Sequence, residues 1–443
     1  MVSDYQGYEL SGGCAETAEL YQQAISQFNL YRGDPVALLD QALVQAPEFV
    51  MAHLLKAYLY VMATEPAATT AAAGFVAQAR ILTANAREAS HIAVLSQLLA
   101  GNWTAAARQM DQHNVNYPLD LLGLQCGHLI DFYRASNRSL RDRLARVIPQ
   151  WSEQLPGYSV LLGMYAFGLE ECGDYRRAEA TGRQALALEP RDCWAHHAVA
   201  HVMEMEGRPE DGVGWMTTRQ ASWAASDNFF QVHNWWHLAL YRLELGQSDA
   251  ALELYDGPIR EGNSEMALDM VDASALLWRL ALCGVDLSSR WQALASQWDR
   301  HADGHLYPFN DWHAVMAYLG AGRIADVERL IRDWQQPTHL QTEVADWART
   351  TGLPLIEGLY AFWQGDYRQA ARLLQGARYI VNRFGGSHAQ RDLIDWTLME
   401  AAVRGGLTRL GRSLANERLA LKPCSVLNRR FLHRIEGGSL YPP

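Results

Sequence analysis

Residues 158–190 read YSVLLGMYAFGLEECGDYRRAEATGRQALALEP. Apolar residues recur at helical spacing from Tyr158 to Cys172, Gly173 interrupts, and an amphipathic, alanine-bearing helix follows from Asp174 until Pro190 closes it. Glycine just past a helix end accepts the left-handed conformation that ends it, and proline cannot continue one. The glycine recurs 34 residues on as Gly207 and a further 39 on as Gly246. A helix pair of this size cannot bury its apolar face alone, so neighbouring pairs must stack. The longer second interval predicts a first helix extended by about one turn.

The same punctuation extends in both directions. Upstream, helices are expected over 15–31 and 35–45, with Asp34 as N-cap and Pro35 at the first helical position. PEFVMAHLLKAYLYVM opens at Pro47, pairs follow around 67–85 with 87–100 and 119–135 with 140–152, and Gly101-Asn102-Trp103 turns between them. Downstream, helices are expected over 265–283, 289–300, 305–320 and 324–334, then a linker with a short helix in 337–351. Gly365-Asp366-Tyr367 repeats the turn at Gly173-Asp174-Tyr175, and helices at 387–404, 408–421 and 426–435 close the chain. The fold class is all-α: an α-solenoid of tetratricopeptide-like helix pairs in a curved, right-handed superhelix, with the first helix of each pair lining the concave side. Residues 1–13 read as a flexible lead-in, 14–435 as a single solenoid and 436–443 as a tail.

Composition narrows the function classes. The 443 residues are 49% hydrophobic with a net charge of −11. No basic patch marks nucleic-acid binding, and the arginines of 138–146 read as a solvated helix face. The six cysteines form no C-x-x-C pair, which points to reduced thiols rather than a disulfide framework. No signal-like leader and no membrane-length apolar run is present. A cytoplasmic protein without nucleic-acid or membrane partners is expected; a homo-oligomer stays open.

Several passages carry a resemblance: PEFVMAH (47–53), YAFGLEECGDYRRAE (165–179), AVAHVMEMEG (198–207), HNWWHLALY (233–241), YDGPI (255–259), MVDASALLWRL (270–280), FNDWH (309–313), GLPL (352–355) and GGSHAQRD (385–392). On these, the chain resembles the tetratricopeptide repeat protein 38 family over about residues 15–435. His197, His201, Glu204, His233, Asn234, His237, Asn310, Asp311, His313 and the triplet Gln390-Arg391-Asp392 fit its pattern; His196 does not. The resemblance implies an α-solenoid and no particular chemistry.

The chemistry is read from the residues. His197 with His201, and His233 with His237, are His-x-x-x-His pairs on two predicted helices, and Glu204 shares the first pair's face. The pairs are 36 residues apart, close to one repeat, so adjacent stacked helices bring them together. With Asp311 and His313 on a third helix, these seven are the candidate catalytic residues. His197, His201, His233 and His237 are the candidate ligands of a divalent metal, although the spacing is not that of a metalloprotease. Without a metal, a carboxylate-oriented histidine serves as general base: Glu204 or Asp311 orients His201, His237 or His313. The competing reading makes these histidines packing residues bonded to Trp or carboxylates. Asn234, Trp236, Asn310, Gln390 and Arg391 are the candidate ligand contacts: Arg391 either clamps an anion or pairs with Asp392 or Asp272, and Trp236 either walls a pocket or is core. Asp256 and Asp272 are expected inside, and Cys193 reads as a small buried hydrophobe. Two functions follow. One is a hydrolase-type enzyme acting on a small molecule in the concave pocket. The other is a non-catalytic scaffold whose groove binds a peptide or partner protein.

Overall fold

The computed structural model describes residues 2–336 and 341–437. Residues 337–340 of the expected linker and 438–443 of the expected tail lie outside them. Among the described residues the architecture is all-α, an α-solenoid of consecutive antiparallel helix pairs; two two-residue strands are the exception. Where a single array was expected, the chain divides into two compact units, residues 1–199 with 219–231, and 200–218 with 232–443.

The first unit pairs Ala15–Leu30 with Pro35–Gln45, Val50–Met62 with Pro66–Ile81, Ala86–Leu99 with Trp103–Asn116, Leu121–Tyr133 with Asn137–Val147, and Tyr158–Glu171 with Tyr175–Leu188. Asp34 accepts from the Ala37 amide at 2.9 Å, which satisfies one of the orphan donors at the helix start. The expected lead-in carries a short hairpin. Val2–Ser3 pairs antiparallel with Glu9–Leu10, and Asp4 receives the buried Arg87 guanidinium at 3.1 Å. A cation buried in the first unit needs carboxylates, and Asp4 and Asp120 supply them.

In the second unit Pro209–Thr218, Val232 to Glu244, Ser248–Leu254, Ala267–Leu282, Ser288–Trp298, Pro308–Gly320, Ile324–Gln335, Leu353–Trp363, Tyr367–Ala377, His388–Arg404 and Thr408–Leu421 follow in order. Its core is rich in fully buried tryptophan, and two of the indoles have side-chain acceptors: Trp298 donates to Ser274 Oγ at 2.9 Å and Trp278 to Thr397 Oγ1 at 3.0 Å. The first segment of the first unit stops within the helix Cys193–Met205, after Val199.

Gly173 shows how many of the first helices of these pairs stop. Its φ of +78° lets the Gly173 amide reach Glu170 O at 2.7 Å and the Asp174 amide reach Leu169 O at 2.9 Å, a left-handed cap that a side chain would strain. The same pair of bonds closes helices at Gly207, Gly246, Gly284, Gly322, Gly365 and Gly406. The longer interval to Gly246 is not an extended helix: Cys193–Met205 has 13 residues and Gln231–Glu244 has 14. The length lies in the connection at 219–230 with the short helix Gln220–Trp223, which follows a second helix of only 10 residues, Pro209–Thr218. Asn228 fastens it, donating to Trp223 O at 2.6 Å.

Two glycines on one helix give opposite expectations. A Cβ at Gly212 would stand 2.3 Å from the Tyr241 ring, whereas one at the exposed Gly214 meets nothing within 4 Å. Gly212→Ala should therefore cost about 1–3 kcal/mol by overpacking, and Gly214→Ala should stabilise by roughly 0.5–1 kcal/mol. Urea unfolding of both variants measures the two signs.

Candidate functional site

Three helices of the second unit build the site. Residues 200–205 end the first of them and carry His201 and Glu204; 232–244 carries His233 and His237; 267–282 carries Asp272 and Arg279. The i, i+4 spacing lays the His233 and His237 rings one above the other, with centroids 4.8 Å apart at 89°. His201 packs edge-on against His237 at 4.5 Å.

Each ring of the second pair is held by a carboxylate. His233 Nδ1 lies 2.8 Å from Asp272 Oδ2, and His237 Nδ1 lies 3.2 Å from Glu204 Oε2. An ionised carboxylate only accepts, so Nδ1 of each ring carries the proton and Nε2 is left as the base nitrogen. The two Nε2 atoms face each other at 3.3 Å. Burial and the neighbouring His233 hold the proton affinity of His237 well below the usual histidine range, and burial and His237 do the same to His201.

Arg279 lies beneath this cluster. Burial lowers its pKa to about 10, so it stays cationic near neutral pH. It donates to Ala389 O at 2.9 Å and to Ala275 O at 3.2 Å, and sits 5.3 Å from the Trp236 ring centroid. Trp236 stacks on His233 at 19°. Glu204 and Arg279 also line a narrow cleft of about 30 Å³, with Tyr241, Glu244, Trp396 and Lys422 around it. That volume admits a water or the reacting end of a small molecule.

The structure thus brings together His201, Glu204, His233 and His237 of the predicted residues. His197 belongs to the first unit, where Phe167 stacks on it at 5.1 Å and Trp194 and Phe230 flank it. Asp311 does not orient a histidine: Oδ1 accepts from the Gly304 amide at 3.1 Å, and burial pushes its pKa well above the carboxylate range. His313 donates from Nδ1 to Phe309 O at 2.8 Å, one turn back on its own helix. Asn234 and Asn310 are buried on their helices. Trp236 is core rather than a pocket wall, with no exposed surface. Gln390 closes a capping box with Ser387, receiving the Ser387 amide at 3.0 Å. Arg391 donates to Gly386 O, and Asp392 is held by Arg418 at 2.7 Å. Asp256, expected inside, pairs with Arg290 at the surface at 2.6 Å.

Asp272 and Arg279 were missing from the predicted site. Both stand in MVDASALLWRL, seven residues apart and so on one face of an apolar helix. Charged groups in an apolar run are the signal, because burial keeps them only where partners or function require it.

No family model matches the sequence. Among solved structures, the chain is similar to the APC/C hetero-tetramer Cut9-Hcn1 (14% identity over 96% of this chain and 77% of that one, TM-score 0.46). It is also similar to the human IFIT1 dimer with m7Gppp-AAAA (13%, 97% and 93%, TM-score 0.44) and to yeast Tom70 (13%, 95% and 87%, TM-score 0.35). No helix among the described residues is long and apolar enough to cross a membrane. The repeat architecture stands on the helix pairing and the left-handed glycine caps.

His313 gives a pH test. Burial lowers its pKa from 6.5 to about 3, so the unfolded chain binds a proton there that the folded chain refuses. Its contribution to stability is fully present above about pH 6.5 and is lost as pH falls towards 3. His313→Leu should flatten the pH dependence of unfolding free energy below about pH 6.5 by roughly 1.4 kcal/mol per pH unit, measured by denaturant titration against the parent protein.

Proposed function

We propose that the protein acts on a small molecule at the His233–His237 centre of its second unit, as a hydrolase-type enzyme that uses histidine and carboxylate to activate water. The observation that carries this is the pair of parallel relays, Asp272 to His233 and Glu204 to His237, whose base nitrogens converge 3.3 Å apart. A base nitrogen fixed in tautomer and direction by a carboxylate is what general-base catalysis needs. Arg279 and Lys422 in the cleft beside Glu204 favour a substrate whose reacting end gains negative charge.

A panel of p-nitrophenyl acetate, p-nitrophenyl phosphate and a chromogenic amide tests it. Turnover of one class should fall by about 10²–10⁴ in His237→Ala and in Asp272→Asn, with thermal unfolding showing that each variant stays folded. Rates equal in parent and variants remove the reading.

A second reading, a scaffold that binds a peptide, is favoured by an open groove in the first unit. Its volume is about 360 Å³, and Gln6, Gln22, Gln23, Ser26, Asn29 and Ser159 line it. Amides and hydroxyls both donate and accept, which suits the backbone of an extended chain. Under this reading, Gln22→Ala/Asn29→Ala weakens peptide capture from a random-peptide display library, and His237→Ala leaves it unchanged.

A further inference from the structure

We infer that His201, His233 and His237 hold a divalent transition-metal ion of the zinc class. The inference rests on the centre named above and deepens that reading: the ion, rather than an imidazole alone, would activate the water.

The geometry of the base nitrogens carries it. With Nδ1 committed to Asp272 and Glu204, His233 and His237 turn two nitrogen lone pairs towards each other at 3.3 Å. A metal ion between them would accept both. Imidazole nitrogens bound tetrahedrally to Zn²⁺ at ~2.05 Å stand about 3.3–3.4 Å apart, which is the separation found. His201 brings a third ring nitrogen within 4.8 Å of the other two, a short swing of one imidazole from coordination.

The surroundings suit the charge. Metal-bound histidines characteristically donate their other N–H to a carboxylate, which fixes the ring and strengthens it as a ligand. Asp272 and Glu204 hold those positions, and their two negative charges balance the two positive charges of the ion.

The first unit contains a cluster of similar composition that shows the contrast. There the Nε2 atoms of His91 and His113 both point at Asp120 Oδ2, at 3.1 and 3.2 Å, and the Nδ1 atoms meet Tyr58 Oη at 3.0 Å and Ser90 Oγ at 3.1 Å. Arg87 supplies the cation, 2.9 Å from the same carboxylate oxygen. Each nitrogen of that cluster has a partner of opposite hydrogen-bonding sense, so it is a closed polar network. In the second unit the His233 and His237 Nε2 atoms instead face each other.

The test is cobalt binding by the full-length, untagged protein after treatment with a chelator. Co²⁺ should produce the visible absorption of a low-coordinate nitrogen site, saturating at one ion per chain and bleached by Zn²⁺. Asp272→Asn should weaken the binding about 10–100-fold while the protein stays folded, and His233→Gln should abolish the absorption. If a variant fails to fold, saturation of the parent protein alone decides. No absorption, or absorption that Asp272→Asn and His233→Gln leave unchanged, overturns the inference. The two readings separate cleanly. Turnover by chelator-treated protein that takes up no cobalt overturns the metal and keeps the acid–base hydrolase, whereas stoichiometric cobalt without turnover keeps the metal and removes the hydrolase.

Discussion

At Gly207 the chain reverses through two backbone hydrogen bonds, from the Gly207 amide to Glu204 O and from the Arg208 amide to Met203 O. The positive φ of that glycine makes both possible and ends the helix one residue-turn past Glu204. The carboxylate is thereby fixed in the final turn, within reach of His237. The same closure at Gly246 and Gly284 ends the helices that carry His233, His237, Asp272 and Arg279. The relative heights of these side chains follow from where the helices stop. A longer or shorter helix would rotate a residue by about 100° off the shared face, so the site depends on turns that contribute no side chain to it.

The cost of the arrangement lies in its burial. Taking carboxylates and imidazoles out of water is unfavourable unless their hydrogen-bonding capacity is met, and a well-packed apolar substitute is often at least as stable. The second unit has such substitutes at hand, since leucine, alanine and tryptophan fill the same helices. That polar groups persist at positions 201, 204, 233, 237, 272 and 279 is thus poorly explained by stability. The tryptophans do explain part of the order: Trp236 lies flat on His233 and under Arg279, limiting the motion of both.

Much of the fold was legible in the sequence because its signals are local. Helix periodicity, Asp34-Pro35, Ser387 and the recurring glycines each act within a turn or two of chain, and the helices followed them closely. The insertion at 219–230 was misread as a longer helix because spacing counts residues without saying where they go. The site was half legible. His201, Glu204, His233 and His237 announced themselves by the i, i+3 and i, i+4 rules. Asp311 and His313 sit two apart, so their side chains leave the helix in different directions and satisfy local backbone groups instead. Asp272 and Arg279 were hidden by distance: their partners are 39 residues upstream at His233 and 110 residues downstream at Ala389, and no local rule reports such a pairing.

The insertion has a consequence for how the chain is made. Residues 219–231 complete the first unit: Asp227 pairs with Arg32 at 2.7 Å and takes the Gly33 amide at 2.8 Å, and Phe230 packs 5.0 Å from Tyr31. The ribosome must therefore synthesise residues 200–218, which belong to the second unit, before the first can close. At roughly 5–20 residues per second, the 195 residues between Arg32 and Asp227 take about 10–40 seconds, during which the turn of the first helix pair lacks these contacts. The chain passes between units at 199/200, 218/219 and 231/232, so no single protease nick separates the two units, each free of the other's residues. Biogenesis and turnover of this protein are interleaved even though its folded parts are two.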